Sequence, residues 1–469
     1  MAKWKRNISV PLFGALVMAM PLASAARDAA PTGSLAIQPS LSSGDAKLLA
    51  ASKQAIRKDD GLLRNAIRYM LKEHGQMKAA RADVQAAKER IRETFGTNWF
   101  PQFDLTANAG YERLTKKDLH GDTELVPREV DLALTQRLFD FGQANANTDV
   151  VRATHQVMVD TLALTEQTLA LEAVSAYHSL VGAIDVVEYA RLTVEANAGI
   201  VGHQEALLEG EGGDKTDLLK AKKEVFLAQA QRTIANMQLK QAENRVRAIF
   251  QRPATEIILL QAPKLPNDLI PASVEEAVQI AYANHPQVRI AQATLDTMIA
   301  TKKSVLASSF YPTILGYADA KYKKNVAGTV DFFAESSARV ELTFPFNLGG
   351  TAFNSHKAAT LDKRAAARRL DDSKTQVEKL VRDAWDALDG AKDVEKMQMD
   401  AVEILKEVLE LAKSKAQEEA GDELLVLEAS RELNTVQGLG ASAKALTAVS
   451  LYKLLETMGR LNQAVFETP

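Results

Sequence analysis

Hydrophobic and polar positions alternate with a period of two in a few short segments of the chain. The alternation is found in residues 103–114, 130–138, 313–323 and 338–346, and it is strictest in the first and last of these. In FDLTANAGYERL, for example, Phe103 and Leu105 fall on one face while Asp104 and Thr106 fall on the other. This period is typical of β-strands. We predict four strands of about ten residues, which is long enough to cross a bilayer at a tilt, although a soluble sheet with one buried face has the same pattern.

Two much longer segments have the helical period instead. Residues 142–208 and 351–420 contain no proline, and the first carries apolar residues at spacings of three and four. These residues are Leu169, Ala173, Ala176, Leu180, Ile184 and Val187. At about 1.5 Å per residue, such helices reach about 100 Å, too long to wrap a small globular core. They are expected to pack along one another as a shaft, which disfavours a small soluble sheet protein.

The chain repeats itself once. Residues 63–101 align without gaps to residues 274–312, an offset of 211 that pairs His74 with His285 and Pro101 with Pro312. Each half runs in the order helix, two strands and long interrupted helix, so the repeat is a duplicated half and not a solenoid unit. We predict repeats at residues 59–252 and 273–469. They are joined by a proline-rich linker at residues 253–272, where a continuous helix is excluded.

The first 25 residues have the order of a secretory signal peptide. Basic residues precede a short apolar core, and Ala23, Ser24 and Ala25 supply the small side chains read by a signal peptidase. An N-terminal membrane anchor is the alternative, but the apolar core is too short to span about 30 Å of hydrocarbon. Residues 26–58 then form an N-terminal extension. The chain has no cysteine, so its fold depends on packing or assembly and not on disulfides.

Composition and charge exclude two broad classes of function. With 46% hydrophobic and 25% charged residues and a formal net charge of -3, the chain is predicted to fold and not to bind nucleic acid.

If its strands enter a membrane, four of them cannot close a barrel, and an open edge would leave backbone N–H and C=O groups unpaired in lipid. Several chains must then share one barrel of eight or twelve strands, of which twelve leaves more room for a passage.

Short motifs recur at matching places in both halves. They are Asn284-His285-Pro286 in the opening helix, Phe100-Pro101 and Tyr311-Pro312 at strand entry, and LTQRLFDFG (134–142) beside LTFPFNLGG (342–350) at strand exit. In this order, the chain resembles the TolC-type outer-membrane efflux protein family over nearly all of its mature length. The segment FPFNLGGTAFN also resembles the agglutination-protein branch, which serves type I export of adhesins.

That resemblance implies a fold, a location and partners. The fold class is mainly α with membrane β-strands: a long α-helical barrel plus four strands per chain that contribute to a shared 12-stranded trimeric β-barrel. The expected homotrimer lies in outer-membrane lipid with its helical part in the periplasm. It docks onto a periplasmic adaptor (membrane fusion) protein and an inner-membrane transporter, and forms a passive export duct without a cofactor. Small-molecule efflux is the alternative to type I protein secretion.

The segment EGEGGDKTD (209–217) looks at first like a ligand loop. A Walker loop needs a different glycine spacing after a buried strand, and an EF-hand needs alternating ligands and a closing glutamate, so both are disfavoured. Gly213 and Asp214 recur as Gly421 and Asp422 in the second half. Glycine accepts a positive φ where a helix reverses, and aspartate caps the returning helix. The segment is therefore predicted to be a helical hairpin tip.

The resemblance also implies that acids near the two tips form an aperture. Asp217 lies one turn into the returning helix, and Val426-Leu427-Glu428-Ala429 resembles the family segment that carries an aperture carboxylate. The expected tip and aperture residues are Gly213, Asp214, Asp217, Gly421, Asp422, Glu423 and Glu428. Leu425 stands where a second acid is expected, and a solvated helix face remains the plainer reading of each acid by itself.

Two other classes of protein compete with a channel. A periplasmic coiled-coil adaptor would need a β-rich lipoyl-like segment beside one hairpin, whereas this chain has two hairpins with paired strands. An enzyme would need a nucleophile or general base, and the sequence holds no such arrangement. The seven histidines form no metal-binding spacing, so His74 and His285 are assigned to helix packing.

Overall fold

The computed structural model describes residues 62–115, 123–210, 212–258, 264–326, 330–346, 348–418 and 423–461. All of them lie in one compact unit, Lys47–Pro469. The predicted signal peptide (1–25) and N-terminal extension (26–58) lie outside the described residues.

The first half opens with two helices, continues through four strands and closes with a long helical hairpin. Its elements are α1 (Leu62–Glu73), α2 (Gly75–Trp99), β1 (Gln102–Ala109), β2 (Glu112–Leu114), β3 (Thr123–Leu125), β4 (Arg128–Phe139), α3 (Gln143–Glu209) and α4 (Lys215–Phe250). The connecting segment contains α5 (Ala254–Ile257) and a 3₁₀ turn at Asn267–Leu269.

The second half follows the same order. Its elements are α6 (Val274–Asn284), α7 (Pro286–Phe310), β5 (Thr313–Lys324), β6 (Phe332–Thr343), α8 (Thr351–Glu418) and α9 (Glu423–Thr457). Helices α3 and α8 have 67 and 68 residues, so each is about 100 Å long, as the sequence predicted.

The four main strands form one antiparallel sheet in the order β1-β4-β5-β6, so the two halves meet at β4 and β5. β1 pairs with β4 through Gln102 and Thr135, and β5 pairs with β6 through Thr313 and Thr343. β2 and β3 form a small hairpin at the end of β1 and β4 that lies away from the helices. The sheet order therefore joins the repeats side by side.

The long helices α3 and α8 each pack against several shorter helices in succession. Near the sheet, α3 packs against α2 and α7; toward the hairpin tips it packs against α4 and α9, and α8 packs against α7 and then α9. The contacts depend on small residues, since a Cβ on Gly182 would lie 2.9 Å from the Cβ of Ala445.

Among the described helices, α3 is the one long and apolar enough to cross a membrane. However, 56% of its most apolar segment is buried in the protein.

His74 and His285 separate the two opening helices of each half. Each histidine caps the helix that follows: His74 Nδ1 accepts a hydrogen bond from Gln76 N at 3.3 Å, and His285 Nδ1 accepts one from Gln287 N at 3.2 Å. Their repetition therefore reflects N-capping, a role more specific than the helix packing that the sequence suggested.

Strand ends differ from the sequence prediction at two places. The segment 103–114 is not one strand, because pairing stops after Ala109 and resumes at Glu112. β6 begins earlier than predicted and ends at Thr343, before Pro345. Proline has no N–H to donate to a strand partner, so the alternating pattern continues past the end of pairing.

Candidate functional site

One face of the four-stranded sheet is apolar and open to solvent. In successive rows across the strands the face carries Phe103, Leu134, Ala318 and Ala338, then Leu105, Leu132, Ala320 and Ser336, then Ala107, Val130, Tyr322 and Ala334. Leu105 is 72% exposed and Val340 is 70% exposed. A soluble protein rarely leaves such a continuous apolar face uncovered. From Phe332 to Leu342 the face extends about 33 Å along β6, which at a tilt of about 40° gives the height of an apolar membrane band, about 25 Å.

The opposite face of the same sheet is charged. Its ion pairs link neighbouring strands: Lys321–Asp131 at 3.8 Å, Lys323–Glu129 at 3.6 Å, Lys323–Glu335 at 3.1 Å and Arg339–Asp319 at 3.2 Å. Ser337 Oγ also donates to Asp319 Oδ1 at 2.6 Å. The sheet is therefore apolar on one face and hydrated on the other, which is the division expected when lipid lies outside and water inside.

Exposed aromatic residues cluster at both ends of this sheet. At the end nearest the helices they are Trp99, Phe100, Phe103, Phe139, Phe141, Tyr311, Phe344, Phe346 and Phe353; at the far end they are Tyr111, Tyr322, Phe332 and Phe333. Two aromatic girdles flanking an apolar band are typical of strands that cross an outer membrane, because aromatic rings favour the lipid–water interface.

The sheet has two unpaired edges. Among the described residues, β1 pairs only with β4 and β6 pairs only with β5. In a membrane these edges require partners.

At the first hairpin tip, Gly213 allows two backbone segments to approach closely. A Cβ on Gly213 would lie 2.7 Å from the backbone N of Leu208. Its φ is not positive, so the expected reason for glycine was wrong: close approach requires it, not a left-handed conformation. Asp214 caps α4 as predicted, accepting a hydrogen bond from Thr216 N at 2.9 Å. Hydrogen bonds from the backbone and side chain of Thr216 lower the pKa of Asp214.

The predicted aperture acids lie on the returning helices. Asp217 is exposed and pairs with Lys220, whose Nζ lies 2.8 Å from Asp217 Oδ1, and this hydrogen bond raises the pKa of Lys220. Glu423 and Glu428 are exposed on the first turns of α9. Gly421 and Asp422 lie outside the described residues.

Sequence reasoning missed Asp140, which connects the sheet to the helices. Its carboxylate is 4% exposed and accepts hydrogen bonds from Ala144 N at 2.7 Å, Gly142 N at 3.1 Å and Arg137 Nη1 at 2.9 Å. The sequence signal that could have identified Asp140 is an aspartate two residues before a glycine, Gly142, at the turn from strand to helix. In the structure Gly142 has a φ of 97°, which favours glycine.

A cavity of about 540 Å³ is an open groove over α3 between α4 and α9. It is lined by small residues with Gln238, Gln241 and Arg245, without a paired nucleophile and base. Across the described ranges, no group of three or more His, Asp or Glu side chains is placed to hold a metal ion.

Comparison with known proteins agrees with this geometry. A family model described as "Outer membrane efflux protein" matches residues 66–250 and 277–460, which together are well over half of the chain. No curated protein sequence matches it significantly.

Solved structures share the fold at low sequence identity. A membrane protein from Pseudomonas aeruginosa superposes with a TM-score of 0.72 at 20% identity, covering 85% of this chain and 93% of its own. The MtrE outer membrane channel of Neisseria gonorrhoeae, in its open state, gives 0.70 at 18% identity over 86% and 90%. The CmeC outer membrane channel of Campylobacter jejuni gives 0.72 at 14% identity over 85% of each chain.

Proposed function

Because the chain belongs to the outer membrane efflux protein family, we propose that it forms, as a homotrimer, the outer-membrane duct of a three-part export system. The observation that carries the proposal is the sheet with one exposed apolar face, one charged face and two open edges. Like other members of the family, the chain is a passive channel protein and not an enzyme, placed in the outer membrane with its helical part in the periplasm.

A homotrimer would give partners to the two unpaired edges of the sheet. Three copies of a four-stranded sheet supply twelve strands, which close a barrel wide enough for an aqueous passage. The apolar face then meets lipid, and the ion pairs of the charged face line the passage. The long helices continue the wall of the duct into the periplasm for about 100 Å.

The adaptor and the transporter are proposed to dock at the hairpin tips, which lie farthest from the sheet. Family members are trimeric channels that work with periplasmic adaptor proteins and inner-membrane pumps. The proposed aperture consists of Gly213, Asp214 and Asp217 at one tip, and of Gly421, Asp422, Glu423 and Glu428 at the other. In three copies these acids form a ring whose repulsion and cation binding tune the closed mouth.

For the cargo, we propose a large protein exported by a type I system. The support is the resemblance of residues 344–354 (FPFNLGGTAFN) to the agglutination-protein branch. Small-molecule efflux is the second candidate, favoured by the description of the matching family. A strain lacking the gene separates the two: loss of a large surface protein supports the first, and increased retention of dyes or drugs supports the second.

The channel itself is tested by fractionation, native mass spectrometry in detergent and single-channel recording in planar bilayers. The expected result is an outer-membrane trimer that conducts ions. A periplasmic monomer without conductance would overturn the proposal.

A further inference from the structure

Basic side chains collect on the helices next to the aromatic girdle at the helical end of the sheet. In the four helix segments that adjoin the sheet, nine lysine and arginine residues stand against five aspartate and glutamate residues; the segments are residues 84–99, 143–158, 295–310 and 351–366. The whole chain, by contrast, has 57 basic and 60 acidic residues. The excess of positive charge is therefore local to the part of the helices nearest the membrane.

On α8 the bases lie on the side that carries the girdle. Lys357 follows Phe353 by one turn, and Phe353 is 72% exposed. Arg364 follows Lys357 by one heptad, and both bases are exposed. Two heptads farther on, Glu378 accepts a hydrogen bond from the hydroxyl of Tyr282 in α6 at 2.7 Å. Because residues seven apart share one side of a packed helix, the girdle, the two bases and the added helix α6 all lie on the outer side of the proposed duct.

α7 brings another lysine to a similar depth. The ring of Phe310, at the end of α7, lies 5.4 Å from the ring of Phe353. Lys303 is exposed and precedes Phe310 by one heptad, about 10 Å along the helix. Lys357 lies about 6 Å from Phe353 along α8. The two lysines therefore lie on adjacent helices, at depths below the same aromatic pair that differ by only about 5 Å.

α2 repeats this arrangement in the first half of the chain. Lys88 and Arg92 are exposed and precede Trp99 of the girdle by about 16 Å and 10 Å. One heptad before Lys88, Arg81 donates a hydrogen bond to the carbonyl oxygen of Lys72 in α1 at 2.9 Å. α1 thus lies beside α2 as α6 lies beside α8, and the bases of α2 lie on the outer side too.

Most of these bases have no carboxylate partner. Arg92 pairs with Glu89 at 2.7 Å. Within the described part of the chain, the other four bases form no ion pair: Lys88, Lys303, Lys357 and Arg364. They leave four exposed positive charges per copy available to an anion.

We propose that these four residues, the basic belt, bind the phosphate groups of anionic phospholipids in the periplasmic leaflet of the outer membrane. The inference rests on the proposed duct. The headgroup layer extends about 5–8 Å beyond the hydrocarbon, and long basic side chains extend their charge toward it. Lys303 and Lys357 therefore reach the phosphates directly. Lys88 and Arg364 lie about 16 Å from the girdle and act mainly through attraction over a Debye length of about 8–10 Å.

The order of side chains along the helices favours a lipid over a soluble anion. Phe310 and Phe353 lie at the apolar band, and Lys303 and Lys357 follow on its aqueous side. A phospholipid has the same order, with acyl chains first and the phosphate beyond them. The aromatic pair contacts the chains while the lysines bind the headgroup.

Native mass spectrometry of the full-length protein in non-ionic detergent tests this, with phosphatidylglycerol and zwitterionic phosphatidylethanolamine titrated separately. Phosphatidylglycerol is expected to bind more tightly, by roughly fivefold for each lysine that contacts the headgroup. Lys303→Gln/Lys357→Gln should weaken phosphatidylglycerol binding by about tenfold or more and leave phosphatidylethanolamine binding unchanged. Lys303→Arg/Lys357→Arg keeps both charges and should keep the preference. The matched control Lys396→Gln/Lys406→Gln removes two exposed lysines from α8 more than about 60 Å from Phe353 and should have no effect.

Equal affinities for the two lipids, or the same loss in both glutamine variants, would overturn the basic belt. Displacement of phosphatidylglycerol by excess inorganic phosphate would overturn it in favour of a soluble anion. An unchanged lipid preference together with loss of a co-purifying acidic protein would overturn it in favour of a protein partner. A conducting trimer without lipid preference would leave the proposed duct standing, whereas a periplasmic monomer without conductance would overturn the duct and the basic belt together.

Discussion

The backbone of Gly459 lies directly against the backbone of His285. A Cβ on Gly459 would be 2.8 Å from His285 Cα and 2.7 Å from the carbonyl oxygen of Asn284. Gly459 also has a φ of 71°, and its carbonyl oxygen accepts a hydrogen bond from Gln167 Nε2 at 3.1 Å. The end of α9 is therefore fixed against the histidine cap of α7 and against α3.

Gly459→Ala is expected to destabilise the protein by about 2–4 kcal/mol, because the methyl group meets the Asn284 backbone and the left-handed φ is strained. Thermal melting by circular dichroism in detergent would measure this. Gly96→Ala is the matched control, since it lies in a helix with open space around it and its counterpart in the other half is Ala307. Equal melting temperatures for both variants would contradict the expectation.

The ion pair between Arg289 and Asp160 joins α7 to α3, and Asp160 is only 2% exposed. Arg289→Leu is expected to cost about 2–3 kcal/mol, because it leaves a buried carboxylate without its cation; the exposed side of Arg289 reduces the loss. The double variant Asp160→Leu/Arg289→Leu should recover part of that stability, as measured by denaturant midpoints. Additive losses in the double variant would show that the two residues act independently.

His178 makes stability depend on pH. The residue lies between α3 and α9 beside the rings of Tyr177 and Tyr452, and Lys444 is the charged neighbour. Burial, aided by Lys444, lowers the pKa of His178 from 6.5 to about 4. The unfolded chain therefore binds a proton that the folded chain does not, and stability falls as pH drops from about 6.5 toward about 4, by at most about 3 kcal/mol.

His178→Gln should flatten this dependence between pH 7 and pH 4.5, in melting curves compared with those of the unmodified protein. His203→Gln is the control on the same helix. A wild-type slope that persists in His178→Gln would assign the pH dependence to other groups.

The tip acids are expected to act on ion flow and not on assembly. Asp217→Ala/Glu428→Ala should change conductance or weaken block by divalent cations, because it removes six charges from the proposed ring of three copies. Asp362→Ala is a control at the other end of the helices, where α8 leaves the sheet. Bilayer recordings of trimers confirmed by native mass spectrometry would decide; unchanged conductance and block would remove both acids from the gate.

The periodicity of the sequence and its internal repeat predicted most of the architecture. The period of two located the four main strands, although not the ends of the first and the last, since successive side chains of a strand point to opposite faces. The proline-free segments placed α3 and α8 to within two residues. The aligned motifs at His74 and His285 identified two halves, because equivalent sequences fold into equivalent units. These features depend on neighbouring residues along the chain, which is why sequence alone determined them.

Contacts between distant residues were decided only by the tertiary structure. No local pattern says that Gly213 must approach Leu208, that Gly459 must approach Asn284, or that Asp160 meets Arg289, because each depends on how separate helices pack. The pairing of β4 with β5 likewise depends on how the two halves of the chain are placed side by side in space. The sequence determined the two units, and their packing against each other decided the junction.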